Sequence, residues 1–234
     1  MQEFGSRAVS ESLELYIRDR LAESDFFAGI SAGQIPSEHV RDVFCQYYLW
    51  RNKFHRWFGV CVAKSAPFGA AMDASLVLGG LISCLAEEVK GDHHGLALSF
   101  LSALGVDNPA RIAALPVTDA YAESFLRCYF PADRSGDEAL AALAGWELVV
   151  PSLNRIITGA LTRHYGITSG LEFFSPHEDI EMKHFQALWE AFARDTRVDS
   201  RKLIEAARLE IWEHITFWDD VYSAVLGAQQ SLAS

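Results

Sequence analysis

Apolar residues return every three or four positions through nearly every segment of this 234-residue chain, and that period excludes most folds at once. Strict alternation is missing, as are clusters of β-branched residues joined by Asn-Gly or Asp-Gly turns, so the chain reads as all-α. Half of its residues are hydrophobic and 22% are charged, a balance that supports a packed core and not a disordered tail. No linker-like stretch interrupts the pattern, so residues 1–234 are expected to form a single helical domain to which the opening residues 1–6 contribute nothing.

Start and stop residues divide the pattern into about seven helices. The first spans roughly residues 7–28. An aromatic-rich second runs from about 37, with Ser37 as N-cap after Pro36, to about 65. A third covers about 71–90 and stops near Gly91. A fourth occupies about 95–105, and a fifth about 118–130, opened by Thr118 or Asp119. A long helix over about 137–165 contains Pro151, which predicts a kink. Ser175, Pro176 and Glu178 form a capping box opening a helix from 176 to about 195. Asp199 or Ser200 caps the last, which runs to about 226. Short connections imply a compact bundle.

A formal net charge of -11 repels phosphate backbones and anionic headgroups, so neither nucleic acid nor a membrane surface is an expected partner. Cys45, Cys61, Cys84 and Cys128 sit singly in apolar patterns, as reduced thiols of a cytoplasmic protein would. No uninterrupted apolar run reaches the length of about 18 residues that a membrane helix needs.

The informative residues are ionisable groups on apolar faces. With about 100° of rotation per residue and His177 at zero, Glu181 lies near 40° and His184 near -20°, among Leu188, Phe192 and Phe185. Asp179, Lys183, Gln186, Glu190 and Arg194 occupy the opposite face. Glu147 shares a stripe with Leu140, Leu143, Val150, Asn154 and Leu161. Glu87 follows Leu76, Gly80, Ser83 and Cys84 on one face, Glu88 lying about 100° away. His94 returns to the Glu87 side if the helix persists past Gly91, with His93 as the alternative. A buried carboxylate costs several kcal/mol unless it meets a cation or a proton. A divalent metal satisfies His177, Glu181 and His184 together, and the full set of Glu87, His94, Glu147, His177, Glu181 and His184, carboxylates with imidazoles, suits iron or manganese in a dinuclear site of a helical bundle.

This pattern resembles the haem-oxygenase-like diiron oxidases, seven-helix proteins related in fold to thiaminase II and to the pyrroloquinoline-quinone synthase. The resemblance runs from the helix around Phe44-Cys45-Gln46-Tyr47-Tyr48 to the last helix with Phe217-Trp218-Asp219. The family's Glu-x6-His pair is matched by Glu87 and His94, its single inward Glu by Glu147, and its His-x3-Asp-x2-His by His177, Glu181 and His184, with Glu in place of Asp. The resemblance implies six ligands for two Fe(II)/Fe(III) ions, dioxygen as co-substrate, a homodimer, and oxidation of a bound small molecule in secondary metabolism. A free amino acid or a derivative is the expected substrate, undergoing C–C or C–N cleavage, desaturation, N-oxygenation or nitrile formation. The alternatives are a fatty-acid oxidative decarboxylase of the same family and a metal-free oxidase or thiaminase-like protein. The thiaminase reading needs a cysteine nucleophile, and none lies within one turn of the His177, Glu181 and His184 set.

Tyr48, Arg51 and His55 recur at helical spacing with Phe58 and are candidates for holding a substrate carboxylate, which a guanidinium fork fits. The tryptophans read as core. Glu210 and His214, an i, i+4 pair, read as an exposed ion pair.

Overall fold

The computed structural model describes residues 6–64, 74–174, 182–186, 188–189 and 199–232, and among them there is no strand. The helices are α1 (Ser6–Ala22), α2 (Asp25–Ser31), α3 (Ser37–Arg51), α4 (His55–Lys64), α5 (Ala74–Lys90), α6 (His93–Ala103), α7 (Pro116–Tyr129) and α8 (Gly136–His164). They are followed by helical residues 182–186 and 188–189, here α9, and by α10 (Ser200–Leu232). The all-α expectation holds, with more and shorter helices than the sequence predicts. The capping box expected at Ser175–Glu178 lies outside the described residues.

Two long helices divide where local hydrogen bonds turn the chain. Ser24 accepts from Phe27 N and starts α2 afresh two residues after α1 ends. The aromatic helix breaks at Asn52–Phe54, where Lys53 N bonds Trp50 O at 2.8 Å and Phe54 N bonds Arg51 O at 3.1 Å. These are three-residue spacings that tighten the last turn. The start of α3 also differs, because Pro36 is the N-cap and Ser37 the first helical residue. In α7 the chain turns helical at Pro116, and Thr118, expected as a cap, is buried and donates to Gln46 Oε1 at 2.7 Å. The capping box of α8 joins Ser135 to Glu138. That helix then runs through Pro151 without interruption.

α8 is the axis of the core. Its residues from Ala139 to Pro151 are buried without exception, and although it is apolar and long enough to cross a membrane, α1, α2, α4 and α10 cover it. α10 comes close at Gly145, where a Cβ would stand 2.5 Å from Ala207 O, so only glycine lets these two backbones meet. Trp50 anchors the aromatic centre against Trp57, Tyr121, Trp146, His214 and Phe217, with ring centroids 5.2–6.1 Å away. Five of the six tryptophans are buried as expected, and Trp212 is exposed.

Asp219 ties the last helix to the first pair. Its Oδ1 accepts from Ser24 Oγ at 2.7 Å and from Phe26 N at 2.8 Å, supplying an acceptor to the start of α2 from across the bundle. Asp219→Ala is expected to cost about 2 kcal/mol, read from urea unfolding, and Asp219→Asn, which keeps an oxygen there, distinctly less. Equal losses for the two variants would mean that the acceptor contributes nothing.

Candidate metal centre

Three helices bring chemistry to one point. α5 presents Cys84 and Glu87, one turn apart; α8 presents Glu147; α9 presents His184. His184 stands between the two carboxylates, its Nε2 3.0 Å from Glu87 Oε2 and its Nδ1 3.4 Å from Glu147 Oε2. Glu147 is 2% exposed, whereas the Glu87 side chain is about half exposed and also accepts from Ser83 Oγ at 3.4 Å. Cys84, 5% exposed, completes the cluster, its sulfur, a Glu147 oxygen and a His184 nitrogen all lying within 4.8 Å of one another. The cysteine that sequence spacing kept away from His184 is thus delivered by a different helix.

The donor set fits a cation. A neutral imidazole carries one N–H, so His184 can donate to one carboxylate only, and its other nitrogen then faces a second carboxylate lone pair to lone pair, with the weak Cys84 S–H donor, hydrogen-bonded to the same ring, as partial relief. Burial of Glu147 makes that opposition costly in a site with little water to screen it. Protonation or a metal between the groups removes it, and carboxylate with imidazole is the ligand chemistry of iron.

Of the other ligand candidates, His177 and Glu181 lie outside the described residues. The helix that carries Glu87 does not persist to His94, which stands on the next one. Asp92 adopts a left-handed conformation at φ 49°, its side chain caps Gly95 N, and His93 and His94 open α6. His94 is exposed, 6.1 Å from the Tyr48 ring between centroids, and lines a cavity of about 380 Å³. That cavity gathers Tyr48, Arg51 and His55, the substrate candidates, with Phe58, Leu85 and Val89. Arg51 lies over the Phe54 ring at 4.5 Å and over Trp146 at 5.4 Å, so the residue preceding Glu147 also forms the bed of the cavity's guanidinium.

Residues 41–219 match the family described as iron-containing redox enzymes. The chain belongs to that family. It is 29% identical over 246 residues to the 4-aminobenzoate synthase of Nitrosomonas europaea, covering 98% of each chain. It is 26% identical over 209 residues to the 4-aminobenzoate synthase of Chlamydia trachomatis, covering 85% of each. Among solved structures, a domain with a haem-oxygenase-like fold from Shewanella denitrificans superposes with a TM-score of 0.71 at 14% identity, over 94% of this chain and 92% of that one. A TenA homologue from Pseudomonas syringae gives 0.71 at 12% identity, over 94% and 93%. The fold is haem-oxygenase-like.

Sequence reasoning missed one polar cluster in this iron-family enzyme. Glu210 and His214 are each 1% exposed, which overturns the expected surface ion pair. Tyr121 Oη lies 3.0 Å from Glu210 Oε1 and 2.7 Å from His214 Nδ1. One phenol hydrogen serves one partner, so the other must donate back. Burial first, then the nearby Glu213, pushes the Glu210 carboxyl well above its ordinary range. Burial first, then Arg51, holds the His214 imidazole down to about 3. The signal was present in the sequence. Leu203, Ala207, Glu210, His214, Phe217 and Val221 share one stripe, which the helical-face test places inside.

Proposed function

We propose that the protein is a non-haem diiron oxidase that uses dioxygen to oxidise an amino acid or an amino-acid-derived small molecule. The observation that carries this reading is the imidazole of His184 set between two carboxylates, one of them fully buried, in a chain of an iron-containing redox family. Glu87, Glu147 and His184 hold the metal, with His94, His177 and Glu181 completing the six ligands that the family pattern implies. When bound, the iron supplies reduction of dioxygen, which no side chain here can perform.

The chain's own share is positioning and exclusion of water. Glu147 is anchored on the buried axis of the bundle and fixes the dry side of the centre; Glu87 stands on the side open to solvent. Arg51, its guanidinium carbon over the Phe54 and Trp146 rings, lines the cavity and would take a substrate carboxylate there. Tyr48 and His55 border the same space and orient the rest of the ligand. A cavity of about 380 Å³ sits at the small end of the range of small-molecule sites, which favours an amino acid or a carboxylated aromatic over a long alkyl chain. The name of the curated relatives, 4-aminobenzoate synthase, points to small aromatic acids of that kind.

Anaerobic titration of the metal-free protein with ferrous iron is expected to saturate at about two ions per chain. Rapid mixing with oxygen should then produce a transient visible absorption with pooled amino acids and none with pooled fatty acids. Failure to retain iron refutes the reading, and a response to the fatty-acid pool alone transfers it to a decarboxylase.

A further inference from the structure

We propose that Cys84 is a thiolate ligand of this centre, forming with Glu147 and His184 a buried metal position that is chemically unlike the one at Glu87. The proposal rests on the reading of the cluster as a metal site.

Placement comes first. Cys84 precedes Glu87 by three residues, so the two side chains leave α5 about 60° apart and both meet α9. Ligand bonds of roughly 2.0–2.3 Å put two donors of one ion at most about 4.6 Å apart. Donors of Cys84, Glu147 and His184 already lie within 4.8 Å of one another, so an inward shift of under about 1 Å by each closes all three around one ion. Among the described residues no other cysteine joins a cluster of this kind, and Cys61 instead points its sulfur at Ala139 O, 3.6 Å away.

Charge supports the same assignment. Cys84 and Glu147 occupy the dry side of the cluster, at 5% and 2% exposure, while Glu87 opens to solvent. A divalent ion held there by one carboxylate and a neutral imidazole would leave a net positive charge buried. With a thiolate added, the deep position is neutral. On binding, the S–H bond breaks, its proton leaves to solvent, and the sulfur electron pair forms the metal bond; nothing is oxidised or reduced. A soft sulfur donor at one ion and harder donors at the other would make the two metals of a pair inequivalent.

Cobalt(II) added anaerobically to the metal-free, full-length protein tests this. The expected spectrum combines weak visible bands with an intense near-ultraviolet sulfur-to-cobalt band. Cys84→Ser should lose the near-ultraviolet band and keep visible bands from the remaining ligands, while Cys128→Ser should keep both. X-ray absorption at the cobalt edge of the unmutated protein should show a sulfur neighbour at about 2.3 Å, about one per cobalt when one ion is bound and about half when two are, a readout that does not depend on a variant folding. Cobalt retained with no sulfur band and no sulfur neighbour overturns the thiolate and leaves the metal centre standing. Cobalt not retained at all removes both the thiolate and the reading beneath it.

Discussion

Replacing His184 with alanine is expected to weaken iron binding by more than about 100-fold, the upper range seen even for residues that only support metal ligands. His184 touches both Glu87 and Glu147, through opposite ring nitrogens. Its loss removes a ligand and also the spacer that holds two carboxylates at a common point. Dialysis against ferrous iron followed by metal analysis gives the number, and far-ultraviolet circular dichroism of the metal-free variant shows that the bundle remains. A control is available in His164→Ala, on the same protein but at the end of α8, which should retain iron normally. Normal retention by His184→Ala would break the assignment of the centre.

The second large effect is a pH dependence set by the Tyr121, Glu210 and His214 cluster, with opposite signs from its two ends. His214 is held to about 3 when folded against about 6.5 when unfolded. Between those values the unfolded chain binds the extra proton, so stability is complete above about pH 6.5 and falls as pH drops towards 3, by roughly 4 to 5 kcal/mol for this group. Glu210 behaves in reverse. Its folded pKa is raised, so the folded protein keeps a proton that the unfolded chain releases above about pH 4.5, and stability is lost as pH rises through the folded value. Glu210→Gln, which keeps both donor and acceptor next to Tyr121 without an ionisable group, is expected to stabilise the protein above pH 5 by a margin that grows with pH. His214→Asn, with an acceptor near the Nδ1 position, should flatten the acid side. Urea unfolding at pH 4 to 8 measures both differences. Parallel curves for wild type and Glu210→Gln would show that Glu210 ionises in the folded state.

Helical faces were legible because burial follows a fixed rotation per residue, and the rule works on one helix at a time. It places Glu147 inside, and α8 does bury it. It would have placed Glu210 and His214 inside as well, had their stripe been weighed above the habit of pairing opposite charges four residues apart. Breaks were less legible. Nothing in Arg51-Asn52-Lys53-Phe54 resembles a glycine or proline stop, and the turn there comes from backbone bonds made as α4 packs onto α5 and α8. Gly91 signals the end of α5, but the left-handed Asp92 that starts α6 at His93 carries no comparable sequence mark.

Sequence alone determined the helical class, the inward direction of Glu147, and the family pattern, because each depends on residue type and on spacing along one helix. Tertiary structure decided which of those residues meet. Cys84 touches His184 from 100 positions away, and Tyr121 joins Glu210 across 89, because α5, α7, α8, α9 and α10 are packed at particular depths and rotations. Those depths follow from volumes and close approaches such as Gly145 on Ala207, which are properties of pairs of helices and are written in neither helix separately.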